Sequence, residues 1–501
     1  MVATRPRIAP NQTLSRMYRY DMRDMFRGAS IPVLQIKCPS GNEETSGHPH
    51  KGEGHEMNSS RFDRRRFLGA SAAAAVAPYI RTSRAAGSLA VGFWDHWVPG
   101  ANDTLAKLCN EWAGKEKVDL KIDFITSQGN KLLLTITAEA QAKNGHDILS
   151  LATSQTPAQE ANLEPVDDVV QPLIERYGKP NNAVEYVGKQ NGHWVAVPAT
   201  VGSQMKGPCA RIDLFKQHAG IDLTKMYPPG APPDEALANT WTWDTFLVAA
   251  EKCHRAGFPF GIGMGQTADS VDSAGAIFAA HGAYLVDAKG TITVNSDATR
   301  QVLEYARKLV QFLPPDVFAW DDASNNKWLI SGKGALIMNP PSAWAVAKRD
   351  NPKLAEQLWT FPAPKGPKGR YQPGLNFFWG IWKFSKNKAA AKSLLTYLSQ
   401  RSAVEQLVEG SGGYDIPPFS SLRNFKIWAE AGPPKGTLYH YPPTPDQIVS
   451  IPGAPAPAPI ATQIFAQATM TKMIAKFTQG REPMERVISW ATSELEGFMR
   501  T

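Results

Sequence analysis

Residues Trp328–Trp344 read WLISGKGALIMNPPSAW. Trp328, Leu329 and Ile330 form the apolar end of a helix, Ser331-Gly332-Lys333-Gly334 is a glycine turn, and Ala335–Met338 is an uninterrupted apolar run of strand character. A helix that feeds a buried strand through a short turn is the repeating unit of α/β architecture, where helices cover the faces of a sheet.

The same alternation recurs upstream. Ser88–Phe93 predicts a first strand, Asp103–Lys115 a helix with Leu105, Leu108 and Trp112 on one face, and Val118–Ile125 a strand. Lys131–Ala142 predicts a second helix and His146–Leu151 a third strand, the pitch of βαβ units in a mainly parallel sheet. Ligands bind beyond the carboxyl ends of such strands, which points to the loops Trp94–Asp103 and Ala152–Gln155. Further on, His193–Ser203 is an apolar strand broken by Pro198 and Gly202, and Phe260–Gly265 a strand entering a glycine turn. Thr242 is placed to cap a helix that Gly257 stops. Asn295–Leu313 and Lys388–Ser399 are amphipathic helices, Phe377–Phe384 is a strand, and the Pro/Ala stretch Ile451–Pro459 is a stiff connector.

The stretch DRRRFLGASAAAAVAPYIRTSRAA, Asp63–Ala86, has a different character. Arginines, an alanine-rich run of about 13 residues and a small-residue site at Ser83-Arg84-Ala85 follow one another in the order of an export signal. A membrane anchor needs roughly 20 strongly apolar residues. The Arg-Arg-x-Phe-Leu core resembles a twin-arginine signal, read by machinery that exports folded proteins. The expected leader is 57–85, and 1–56 reads as a disordered or non-native extension. Of the 54 Lys/Arg and 46 Asp/Glu, 14 and 7 precede Gly87, so the remainder carries 40 against 39 and a net charge of +1 rather than +8. A nucleic-acid or membrane-surface role loses its electrostatic support.

Cys109, Cys209 and Cys253 have no metal-ligand spacing and are read as buried small hydrophobes, with one disulfide as the alternative. The chain has no phosphate loop, no His-x-x-x-His pair and no nucleophile elbow, so neither cofactor nor metal is expected and the protein is not read as an enzyme. All 14 tryptophans follow Ala86, which points to binding.

Trp328–Trp344 resembles the helix-to-strand turn of the extracellular solute-binding proteins of ABC importers, the family that includes maltose-binding protein. Agreeing segments follow in order: TWTWDTFLVAA at Thr240–Ala250, Gly282–Asn295, FFWGIWKFSKNKAAAKSLLTYL at Phe377–Leu398 and GREPMERVISWATSELEGF at Gly480–Phe498. The resemblance implies the α/β, two-lobed periplasmic-binding-protein fold of type II, each lobe a mainly parallel sheet flanked by helices. By analogy, lobe one holds 88–200 plus 378–424 and lobe two 204–376 plus 425–501, closing about a hinge. The implied protein is periplasmic and monomeric, and carries a sugar, oligosaccharide or polyol to an inner-membrane ABC permease after export by the twin-arginine machinery.

The resemblance places Trp94, Asp95 and Trp97 on a cleft loop, with His96 as a loop hydrogen-bonder rather than a metal ligand, and Gln155 on the third-strand loop. In lobe two it places Asn339 and Trp344, with Ser342 where the family's maltose branch has its stacking aromatic. Trp379 falls on a crossing, and Tyr414 on a Gly-Gly loop. Tryptophan and tyrosine faces suit the C–H faces of sugars, and polar side chains suit hydroxyls. Arg211 stands where many members have Asn, which motivates an alternative ligand, a phosphorylated polyol or organic acid. A third reading is an exported enzyme with an unrecognised site. Asp321-Asp322, the obvious acidic pair, reads as the turn before a helix.

Overall fold

The computed structural model describes residues 87–430 and 447–500, apart from Pro99, Pro229, Gly230 and Pro340. The leader at 57–85 and the extension at 1–56 lie outside the described residues. β1 (Ser88–Trp94) is the centre of the first three strands, parallel to β2 (Asp119–Ile125) on one side and to β3 (Ile148–Ala152) on the other, with Val91 opposite both Ile122 and Ile148. Val91 and Phe93 are wholly buried, as a continuous apolar strand covered on both faces requires. β2 alternates Leu120, Ile122 and Phe124, packed on the core, with charged Asp119, Lys121 and Asp123, which suits its place at the sheet edge. The helices Ala101–Glu116 and Lys131–Ala142 connect these strands, the second over its expected span.

A tight hairpin joins β4 (Lys189–Gln190) to β5 (His193–Trp194) through Asn191-Gly192, both with positive φ as the favoured two-residue turn demands. β6 (Val197–Met205) and β7 (Pro208–Arg211) follow, then β8 (Leu336–Met338), β9 (Leu358–Thr360), β10 (Lys365–Gly366), the long β11 (Gly369–Ile381) and β12 (Gln447–Ser450). β11 lies antiparallel to β3, with Phe378 opposite Leu151, and antiparallel to β6. Its other end pairs with β10 and β12. The second sheet is β8-β7-β9, antiparallel throughout.

The expectation of mainly parallel sheets is therefore corrected to a mixed sheet and an antiparallel one. β11 enters the first sheet against the direction of β3, and the strand expected at Phe260–Gly265 is reduced to a single parallel bridge, Gly261 to Ile337. Its glycines explain that. A Cβ on Gly261 would lie 2.5 Å from the Trp328 ring, and one on Gly265 2.7 Å from the Phe318 carbonyl oxygen. The segment gains close packing with neighbouring loops where side chains would have supported a ladder.

Two large cores result. One gathers residues of 89–205 with 375–428 and Ile451, and the other residues of 210–361 with 456–495. Phe425 and Trp428, assigned by analogy to lobe two, pack in the first core, where the Trp428 indole N–H donates to the Gly413 carbonyl at 2.9 Å. β6 and β11 pass between the cores, giving the two-lobed α/β fold. Thr242 caps the helix Trp243–Arg255 by accepting the Thr245 N–H at 3.2 Å, and Gly257 follows it at φ +89°. A helix, Ala458–Ala466, begins inside the Pro/Ala stretch read as a connector. Cys109, Cys209 and Cys253 are buried thiols without disulfides.

Candidate functional site

The β6–β11 ladder is interrupted at the edge of the first core, before the two strands run on towards the second. Phe377 pairs with Ala199 and Leu375 with Gln204, so Thr200–Ser203 bulge opposite Asn376 alone. Gly202 takes φ +87° there, and a Cβ would meet the Phe377 ring at 2.7 Å. The bulge leaves backbone groups that need partners, and neighbouring loops supply them. Gly202 N–H donates to Asp415 Oδ1 at 2.9 Å, and Ile416 N–H to the Ser203 carbonyl at 2.8 Å. Ser203 Oγ accepts the Phe377 N–H at 2.9 Å and donates to the Ala199 carbonyl at 2.6 Å. Thr153, at the end of β3, donates its N–H to the Asn376 carbonyl at 2.8 Å, and its hydroxyl accepts the Asn376 N–H at 3.1 Å.

The loop after β1 reaches the same place. Val98 N–H donates to His96 Nδ1 at 2.9 Å, which leaves Nε2 as the protonated nitrogen that donates to Asp415 Oδ1 at 3.0 Å. Trp94 lies against His96 and Phe377, with ring centroids 4.8 and 5.0 Å away, and Tyr414 meets the His96 ring edge-on at 4.9 Å. Trp94, Phe377, Tyr414 and Asp415, drawn from distant parts of the chain, thus converge on the bulge.

Two of the residues read from sequence, Trp94 and Tyr414, lie in this group. Trp94 and Tyr414 are each only 2% exposed, so in this conformation they are packed rather than open for stacking. Asp95 is exposed and accepts from the Asn102 amide at 2.7 Å, and Trp97 is half-buried against the first core. Gln155 folds back, its side-chain carbonyl accepting the Ala152 N–H at 2.8 Å. Trp379, on β11, is 1% exposed and packs beside Phe93, a core position rather than a ligand-facing one.

Directly after β6 comes Lys206, whose ammonium is buried between Asp269 and Asp272 at 2.7 Å from each. Burial alone would lower its pKa, but the two carboxylates more than offset this and hold it above its ordinary value. Burial also pushes Asp272 and Asp322 up to about 6 each, with Asp269 adding repulsion to both. Asp269 accepts from the Asn325 amide at 3.0 Å. Asn339 is brought here, its amide donating to Asn325 and Asn326 at 3.1 and 2.8 Å, and the Asn326 amide donates to Ser342 Oγ at 3.0 Å. This network joins the crossing to the loop after β8.

Trp344 and Arg211 stand apart. Trp344 is buried in a small satellite core with the Lys348 ammonium over its ring, and Arg211, at the far end of β7 from the crossing, is held by Asp213 in a two-pronged ion pair at 2.8 and 2.5 Å. The guanidinium read as a sign of an acidic ligand is occupied by its neighbour. Asp321 does make the turn before a helix, accepting from Ala323 N–H at 3.1 Å and from the Ser324 hydroxyl.

Sequence reading missed Asp415, Lys206, Asp269, Asp272, Asn325 and Asn326. Two of these left a signal. Asp269 and Asp272 stand three apart in the otherwise uncharged DSVDSAGAIFAA, hence on one helix face, and Lys206 follows a strand without charged residues. Among the described residues, no group of three His, Cys, Asp or Glu could hold a metal ion, and no helix is long and apolar enough to cross a membrane.

Residues 107–433 match the family profile described as bacterial extracellular solute-binding protein. No curated protein sequence matches. Among solved structures, maltose-bound MalE3 of T. maritima is similar at a TM-score of 0.65 and 17% identity, covering 82% of this chain and 99% of that one. A sugar transporter protein of Arthrobacter chlorophenolicus A6 with bound laminaribiose gives 0.63 and 15%, covering 82% and 99%. An ABC transporter solute-binding protein of Agrobacterium vitis S4 with bound D-mannitol gives 0.60 and 19%, covering 83% and 99%. With a family profile that spans more than half its length and a fold whose two cores are joined by the crossings β6 and β11, the chain belongs to the bacterial extracellular solute-binding proteins.

Proposed function

We propose that the protein is the periplasmic binding component of an ABC importer, capturing a neutral sugar, oligosaccharide or polyol between its lobes and delivering it to an inner-membrane permease. The observation that carries this reading is the interrupted β6–β11 ladder. Two cores joined by crossing strands, whose ladder is broken at the edge of the first core, can rotate about those crossings. Hydroxyl ligands suit the hydrogen-bonding groups gathered there, and maltose, laminaribiose and D-mannitol are bound by structural neighbours. The acidic-ligand alternative loses its main support with Arg211 paired to Asp213.

In this reading the lobes follow 88–200 plus 378–424 and 204–376 plus 425–501, amended by moving Phe425 and Trp428 to the first. The protein works as a monomer, exported through the twin-arginine route. Trp94, Trp97 and Tyr414 serve the ligand only after the lobes rearrange, with Asp95, Gln155 and Asn339 as polar contacts. Trp344, Trp379 and Arg211 are released from that role. Tryptophan fluorescence titrated with maltose, laminaribiose and D-mannitol tests the assignment. A response to amino acids or polyamines with none to carbohydrates or polyols overturns it.

A further inference from the structure

Basic side chains from three separate parts of the chain meet on one face of the first lobe without a carboxylate partner. Arg176 stands in the last turn of the helix Asp167–Tyr177 and donates to Gln400 Oε1 at 2.9 Å, which also accepts the Tyr177 hydroxyl at 3.0 Å. Arg401 opens the helix Arg401–Gly410, gives its N–H to the Tyr177 hydroxyl at 3.1 Å and its guanidinium to Asn424 Oδ1 at 2.9 Å. Arg423 and Lys426 stand on either side of Asn424. Lys179 follows Gly178, where a Cβ would lie 2.3 Å from Ser420 Oγ, and the next residue, Pro180, bridges to Phe419. Arg176, Lys179, Arg401 and Lys426 are exposed and Arg423 is half-buried.

The hydrogen-bond partners of Arg176 and Arg401 are all neutral. Glu175, Glu405 and Glu430 lie on the same elements, yet none forms an ion pair with these cations among the described residues. Arg423 goes further: its Nε is buried with no hydrogen-bond partner, and burial is the one influence on its guanidinium, acting against the charge. A desolvated cation without a partner is costly. The chain beyond Ala86 is close to neutral, 40 basic residues against 39 acidic, so this face is a local asymmetry rather than part of a general excess.

We infer that this face of the first lobe is a docking surface for an acidic segment of a partner protein, whose carboxylates are received by Arg176, Arg401 and Arg423 with Lys179 and Lys426 beside them. Guanidinium groups match carboxylates in a two-pronged geometry, and Gln400 and Asn424 hold two of them in place beforehand. A membrane surface takes up apolar side chains along with basic ones. The exposed large apolar residues among those described, Leu133, Leu134, Leu237, Val248 and Ile448, stand on other elements. The face is also set apart from the cleft. The helix Arg401–Gly410 is about 15 Å long, and its opposite end leads to Tyr414 and Asp415 at the bulge. A partner bound here leaves the ligand site free.

The experiment uses the mature protein and a fluorescently labelled oligoglutamate peptide read by anisotropy, with vesicles of phosphatidylethanolamine and phosphatidylglycerol as the second probe. Three paired variants are compared: Lys179→Gln with Lys426→Gln, Arg401→Gln with Arg423→Gln, and Lys308→Gln with Lys353→Gln, equally exposed on other elements. The expected result is peptide binding that weakens with salt, falls roughly tenfold in each of the first two pairs and stays within about twofold of wild type in the third. The Lys179 and Lys426 ammonium groups hold no hydrogen bond among the described residues, so their removal leaves the fold intact, which an unchanged melting temperature checks. Affinity for maltose, laminaribiose or D-mannitol should be the same in every variant. Equal loss in all three pairs, no peptide binding by wild type, or binding to vesicles without binding to the peptide overturns the inference and leaves the carbohydrate reading standing. A parallel loss of carbohydrate affinity would place these residues at the cleft and overturn it as well.

Discussion

His96 and Asp415, 319 positions apart, share a buried hydrogen bond of 3.0 Å from Nε2 to Oδ1, and the same carboxylate oxygen accepts the Gly202 N–H at 2.9 Å. One side chain therefore ties the loop after β1 and the loop after Tyr414 to the crossing strand. Asp415→Ala leaves two buried donors unpaired, and its expected cost is about 3 kcal/mol in chemical denaturation, against about 1 kcal/mol for Asp415→Asn, which keeps an oxygen for both. Equal losses in the two variants would show that the carboxamide cannot take over the acceptor role.

Gly202 is required by conformation and by space. An alanine there is strained at φ +87° and places its Cβ 2.7 Å from the Phe377 ring. Gly202→Ala is expected to destabilise by about 2 kcal/mol or more. A melting temperature within about 1 °C of wild type would refute the bulge geometry.

Lys206→Met removes the buried cation that Asp269 and Asp272 share. The expected loss at pH 7.5 is about 3–5 kcal/mol, because Asp269 and Asp272 are left charged without a counterion. Protonation relieves this. Burial holds the Asp272 and Asp322 carboxyls above their ordinary values, so stability falls as pH rises through them and the variant should recover part of its loss at pH 5. Denaturation curves at the two pH values measure it, and a deficit independent of pH would point to lost packing instead.

His146 sits between Glu139 Oε1 at 2.5 Å and Asp123 Oδ2 at 3.1 Å. The bond to Glu139 raises its pKa most, against an opposing effect of burial, and the net shift is upward from 6.5. The protonated ring thus contributes stability that is fully present below about pH 6.5 and is lost as pH rises through the higher native value. His146→Gln should flatten the fall in stability above that pH. An unchanged slope would exclude the ring as its source.

The stretch Asp63–Ala86, read as an export leader, gives a prediction independent of the fold. Replacing Arg64 and Arg65 by Lys should leave precursor inside the cell if the twin-arginine reading holds. Fractionation and immunoblotting decide it, and undiminished export would mean the motif is misread.

The amino-acid sequence by itself determined the alternation of strand and helix, the Thr242 cap, the glycine stop at Gly257, the near-neutral charge balance beyond Ala86, and the ordered segments that resemble the family. These are local properties: side-chain period, capping chemistry and turn conformation are set by residues a few positions apart. The direction in which β11 meets β3 was decided only by the tertiary structure, as were the loss of the Phe260–Gly265 strand and the burial of Trp94, Trp379 and Tyr414. So was the meeting of His96, Gly202 and Asp415. The physical reason is that a polar or aromatic side chain acquires its role from what faces it. Arg211 beside Asp213 is an ion pair rather than an anion site, and Asp415, unremarkable in YDIPP, becomes the tie at the crossing because His96 lies 319 residues away in sequence and 3.0 Å away in space.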